Sequence, residues 1–128
     1  MIARRWADLA LIDDQLGCIS TGEVNQQALF PRVAAAVHHG GAGTMTASSR
    51  AGVPQVVIPQ MSDQPCFADR VQQLGRGTAF TDSPTSDNLR GALEHALGVE
   101  CITSAHTVSA TGKTDGALIA AQRLLELA

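Results

Sequence analysis

The stretch Val37-His38-His39-Gly40-Gly41-Ala42-Gly43-Thr44-Met45 limits what this chain can fold into more than any other. Ala34 to Val37 is a short apolar run suited to a covered parallel strand. Three glycines among the next six residues allow a sharp reversal and leave backbone N–H groups unshielded by side chains. Thr44 then opens Thr44–Ala51, a run of small and apolar residues suited to packing on a sheet. A strand, a glycine turn and a helix start together make an anion site, because free amides and the positive end of the helix dipole point at one spot. A diphosphate is the ligand such a turn favours. On the glycines alone, simple closure of the turn remains an alternative. The two histidines tilt the reading toward binding. Neighbouring strand residues point to opposite faces, so His38 and His39 do not readily share a metal, and none is expected. One ring can face the turn while the other packs or caps. An imidazole at the lip of an amide nest adds a charge-assisted bond worth roughly 1.5–3 kcal/mol.

Two familiar phosphate motifs do not fit. A P-loop needs Lys-Ser/Thr after its last glycine, whereas Gly43 is followed by Thr44-Met45. The dinucleotide fingerprint G-x-G-x-x-G/A finds Thr46 at its third small position. Asp63, the candidate ribose carboxylate, follows Pro59-Gln60-Met61-Ser62 and so lies well past the next strand. No nicotinamide or flavin cofactor is expected.

The 128 residues suit a single small α/β domain. A net charge of −3, with one Trp, three Phe and no Tyr, argues against a nucleic-acid surface, which needs basic patches and stacking rings. The three cysteines, Cys18, Cys66 and Cys101, are widely spaced with no CxxC pair, which reads as free thiols in a reducing cytoplasm. Neither a signal core nor a stretch of membrane-spanning length is present.

Along the chain, Met1 to Ala7 reads as the tail of a strand, 13–17 as a turn, and Cys18 to Ser20 as a short strand. Gln26 to Phe30 reads as a short helix stopped near Pro31, and Ala34 to His38 as the central strand. The spacing predicts a helix over Thr44–Ala51, a strand over Gln55–Ile58, a helix over Asp63–Leu74 and a strand over Thr78–Phe80. Three further helices follow: one capped by Ser86, one over Val99–Ala110, and a last one with Ala117, Leu118, Ala121, Leu124 and Leu125 on an apolar face. Strands alternating with helices predict an α/β, Rossmann-like, doubly wound parallel sheet. Ligands of such sheets bind beyond the carboxyl ends of the strands. The glycine turn, the Gly22–Asn25 loop and the Pro59–Pro65 loop all leave such ends and converge on one rim.

His38 to Thr44, then Ala51-Gly52-Val53-Pro54-Gln55, then Pro59-Gln60-Met61-Ser62-Asp63-Gln64-Pro65, resembles the donor-binding half of a GT-B nucleotide-sugar glycosyltransferase, in its bacterial natural-product branch. The similarity covers nearly the whole chain. It implies a site for a TDP- or UDP-sugar donor, with His39 on the diphosphate, and Gly41, Gly43 and Thr44 as donors of the phosphate nest. His38 stays divided between core packing and donor contact. The resemblance places Asp63 and Gln64 on sugar hydroxyls, although Ser62 or Asp63 could equally cap the helix that follows. It places Val24 and Asn25 beside the nucleobase, without the stacking aromatic common in the family. Plant-type members carry a ribose-binding Glu eight residues after the phosphate histidine; Ala47 stands there, which points to a thymidine diphosphate donor.

The resemblance further implies that residues 1–128 are an incomplete half of the fold, lacking its first strand–helix unit and the N-terminal acceptor domain that carries the general base. No catalytic residue is then expected here, and the isolated chain should not turn over. The central strand should keep an unpaired edge open to self-association. Two further readings remain: a stand-alone nucleotide-diphosphate binding module, and a GT-B epimerase or hydrolase, for which only Asp63 and His38 or His39 offer acid/base groups.

Overall fold

Gln55, Val56 and Val57 expose no surface, as expected of a strand covered on both faces. They form β4 (Gln55–Val57), the middle strand of a three-stranded parallel sheet. The computed structural model describes residues 2–3, 17 and 19–127. On one side β4 pairs with β3 (Ala36–His38), Val37 standing opposite Val56. On the other it pairs with β5 (Gly77–Ala79), Thr78 standing opposite Val56. A second parallel pair, β1 (Ile2–Ala3) and β2 (Ser20–Thr21), forms a sheet of its own. The parallel sheet is therefore in two pieces rather than one. Among the described residues β3 has a strand on one side only, and Val37 on it is 47% exposed.

Alternate residues of β4 serve opposite layers, as a period of two dictates. Val57 packs with Met45 of α2 (Ala42–Ala51) and with Ala68 and Val71 of α3 (Gln64–Gln73). Val56 packs with Ala92 and Ala96 of α4 (Ser86–Ala96) on the far face. Before β3, α1 (Gln26–Leu29) runs into a 3-10 turn, Phe30–Arg32, whose Phe30 is buried with Ala36 and Val53. Behind these, α5 (Val99–Thr111) packs on α2 and α4.

Several boundaries differ from the sequence reading. Helix α2 starts at Ala42 rather than Thr44, because the first turn makes no intrahelical N–H bonds and so accepts Gly43 at low cost. Strand β5 starts at Gly77 rather than Thr78. A Cβ at Gly77 would collide with the Gln55 carbonyl and stand 2.9 Å from Val71 Cγ1, so the two strands meet where only a bare residue fits. Thr85, not Ser86, caps α4: its Oγ1 accepts from the Asn88 N–H. The apolar stripe on α6 (Gly116–Glu126) is present, but no residue of that helix is buried. Apart from Gly17, the turn expected at 13–17 lies outside the described residues, as does Cys18. Cys66 is exposed and Cys101 buried, both as free thiols. Among the described residues no helix is long and apolar enough to cross a membrane.

Candidate functional site

Strand β3 ends at His38, and α2 begins four residues later. Gly40 makes the reversal with φ +91°, in a conformation that disfavours any side chain. It is also tightly enclosed: a Cβ there would stand 2.9 Å from Val57 Cγ1 and 3.4 Å from Gln64 Cβ. Gly41 is the N-cap of α2 and supplies no side-chain acceptor. Among the described residues, the N–H groups of Gly41, Ala42, Gly43 and Thr44 meet no acceptor, and the first helical bond runs from the Met45 N–H to the Gly41 carbonyl. These amides sit at the positive end of a ten-residue helix.

His39 is exposed, and its ring folds over this turn; a Cβ on Gly41 would stand 2.6 Å from His39 Nε2. His38 points the other way and is half-buried. Its Nδ1 accepts from the Gly40 N–H at 3.0 Å, and its Nε2 lies 2.9 Å from Gln55 Oε1. Burial is the main cause holding the His38 ring below its ordinary pKa; the Gln55 bond opposes this, and His39 and Arg76 add to the lowering. Arg76 is itself buried beside Ser49, to whose Oγ its Nη1 donates, and burial lowers its pKa too.

The other two loops meet this turn. The Gln64 side chain begins against Gly40, and its Oε1 accepts from the Gln60 N–H at 2.8 Å and the Met61 N–H at 3.2 Å. Between them Ser62 has φ +59°, a strained conformation for a residue bearing a side chain. Asp63 stands at the N-cap of α3, but its backbone is already helical and its carboxylate makes no capping bond. The capping reading of Ser62 and Asp63 is therefore not what the structure contains, and the Asp63 side chain is exposed. On the opposite side, Asn25 Oδ1 caps α1 by accepting from the Gln27 and Ala28 N–H groups. Gln26 Nε2 then reaches Thr44 Oγ1 at 3.4 Å, tying the Val24–Asn25 loop to the helix start.

A groove of about 630 Å³ opens beside the Ala42–Gly43 backbone and runs along α2 past Ala47 and Arg50 to Ala51, with Gln27 and Pro31 as its far wall. That volume is ample for a small ligand. His39, the glycines, Thr44, Asp63 and Gln64, expected on one rim from the sequence, lie on the β3–α2 turn and the loop that meets it. The His38–Gln55 pair, the pinning of the Pro59–Pro65 loop by Gln64, and Arg50 on the groove have no signal in the local sequence. The cap at Asn25 did have a local signal, an Asn ahead of the Gln-Gln-Ala-Leu helix.

Residues 3–115 match the family described as Erythromycin biosynthesis protein CIII-like, C-terminal domain. Over 98% of its length the chain is 51% identical to the vancomycin aglycone glucosyltransferase of Amycolatopsis orientalis, of which it covers 31%. The glycosyltransferase VinC, solved in complex with dTDP, is similar in structure with a TM-score of 0.66 at 31% identity, over 75% of this chain and 25% of that one. The spinosyn forosaminyltransferase SpnP shares the fold, with a TM-score of 0.75 at 20% identity over 84% of this chain and 29% of that one. The chain thus spans about a third of the length of the curated relatives it matches. An α/β architecture with a bare glycine turn at the head of a groove, together with these matches, places the chain in the erythromycin CIII-like C-terminal domain family of GT-B glycosyltransferases.

Proposed function

We propose that this chain holds the nucleoside diphosphate of a nucleotide-sugar donor, from which the sugar passes to a hydroxyl of a small-molecule acceptor. The observation that carries the proposal is the run of unpaired amides from Gly41 to Thr44, with the His39 ring beside them, at the head of the α2 groove. The dTDP bound to VinC and the glucosyltransferase name of the Amycolatopsis relative support it.

In this reading the diphosphate accepts from those amides, from the Thr44 hydroxyl and from His39. As the glycosidic bond breaks, negative charge grows on the departing diphosphate. Donors already aimed at it stabilise that charge more than they stabilise the bound donor, which lowers the barrier. His38 has both ring nitrogens engaged within the chain and does not serve as a ligand here. Asp63 accepts from sugar hydroxyls. Gln64 offers its amide nitrogen, its oxygen being committed to the Gln60 and Met61 N–H groups. Val24 and the free end of Asn25 border the base. Ala47, on the groove wall, gives a ribose 2′-hydroxyl no acceptor, which favours a thymidine over a uridine donor.

The general base and the acceptor come from a separate acceptor domain, and residues 1–128 act as the donor-binding domain of a cytoplasmic enzyme. The open edge of β3 offers a route to self-association, and a strictly monomeric species in concentrated solution by light scattering contradicts that part. Calorimetric titration with TDP, UDP and thymidine tests the rest. TDP should bind, and thymidine should bind at least roughly tenfold more weakly, since it lacks the charge-assisted contacts. Absence of TDP binding overturns the reading, and a clear preference for UDP removes the thymidine assignment.

A further inference from the structure

We propose that His38 is a positioning residue: its ring, oriented by Gln55, holds the Gly40 amide and thereby sets the direction of the donors that follow. The inference rests on the diphosphate reading of the α2 turn. It concerns a residue that contacts no ligand.

The geometry fixes the proton. Gly40 N–H donates to Nδ1 at 3.0 Å, so Nδ1 carries a lone pair. The neutral ring then has its hydrogen on Nε2, which donates to Gln55 Oε1 at 2.9 Å. Gln55 is fully buried and cannot swing away, and its own backbone N–H is tied to the Arg76 carbonyl. Among the described residues its buried amide nitrogen finds no partner. Holding Oε1 toward the imidazole thus carries a desolvation cost, which a merely space-filling side chain at this position would avoid. Gly40, in turn, is wedged against Val57 and Gln64 at φ +91°. The peptide it begins leads straight into the unpaired amides of Gly41 to Thr44. One bond to His38 therefore decides how the rest of the turn presents itself.

A proton on Nδ1 would set N–H against N–H and release Gly40. Among the described residues the charged groups acting on His38 are His39 and Arg76, both basic, and no carboxylate is among them. Among the described residues no acidic group compensates a second proton, in accord with the lowered pKa of the ring. The turn is thus built to work with His38 neutral.

Two replacements separate positioning from packing. In His38→Asn, the side-chain oxygen can accept from the N–H two residues on, as Asn does in turns, without a titratable proton. His38→Leu removes the acceptor. TDP affinity should stay within about threefold of the parent in His38→Asn and fall roughly 5- to 30-fold in His38→Leu, the loss expected when a buried donor is orphaned. As pH is lowered below about 6.5, the parent should lose TDP affinity relative to His38→Asn. In the ligand-free chain, nuclear magnetic resonance should find the His38 hydrogen on Nε2 and the Gly40 amide shift following the His38 titration. A hydrogen on Nδ1, a Gly40 amide indifferent to that titration, or parent-like TDP binding by a folded His38→Leu overturns the inference. Should His38→Leu not fold, the tautomer and the pH comparison with His38→Asn decide it alone. Failure of every variant and of the parent to bind TDP would instead overturn the diphosphate reading itself.

Discussion

Replacing Gly40 by alanine isolates the strain on which the turn is built. At φ +91° an L-residue costs about 1–2 kcal/mol relative to glycine. The added Cβ would also stand 2.9 Å from Cγ1 of Val57, a β-branched side chain with no exposed surface and no free rotamer to retreat into. Overpacking of this kind costs about 1–3 kcal/mol. The sum, roughly 2–5 kcal/mol, is a large part of the 5–15 kcal/mol available to a domain of this size. With a urea slope of about 1–3 kcal/mol per molar, the unfolding midpoint should fall by roughly 0.7–5 M. Gly43→Ala is the control. A Cβ there meets nothing within 4 Å, and in the first turn of the helix, where glycine is accepted at low cost, alanine should leave stability unchanged or slightly raised. Gly43→Ala should therefore unfold at the same or higher urea concentration, yet weaken TDP binding, because its methyl occupies the head of the groove. Urea unfolding followed by circular dichroism, with parallel TDP titrations, reads both. A Gly40→Ala protein within about 0.5 kcal/mol of the parent would mean that the turn holds no such strain.

His39→Ala should weaken TDP binding by about 1–3 kcal/mol in calorimetry while leaving thermal stability unchanged, since the ring is exposed and bonds nothing in the fold. Gly77→Ala should yield little folded protein by circular dichroism, because its Cβ would meet the Gln55 carbonyl and force β5 away from β4. Because the folded chain holds the His38 ring below its ordinary value, the unfolded chain binds more protons between the two pKa values. Stability should thus be complete above about pH 6.5, fall as pH drops toward the folded-state pKa, and then level off; His38→Asn should flatten that slope in urea titrations at several pH values.

What the sequence made legible was local. The glycine turn, the following helix and the two neighbouring loops are each announced by residues adjacent in the chain, and parallel topology then brings them to one rim. Long-range packing was not legible. Nothing near Gly77 in the sequence says that the Gln55 carbonyl lies against it, so the strand reads as starting at Thr78. The role of His38 likewise depends on Gln55, seventeen residues away, and no local pattern names that partner. The resemblance implies a sugar contact for Gln64, but only the fold shows its oxygen holding the Gln60–Met61 backbone. The stripe on α6 was visible as periodicity, which identifies an apolar face without saying what covers it.

The central claim is that backbone amides at the start of α2 receive a diphosphate. An amide spectrum of the isotope-labelled chain, recorded with increasing TDP and separately with thymidine, tests it most directly. TDP should produce large, saturable shifts at Gly41, Ala42, Gly43 and Thr44 that thymidine does not. Unchanged resonances at those four residues while TDP binds elsewhere, or the same shifts with thymidine alone, would contradict it.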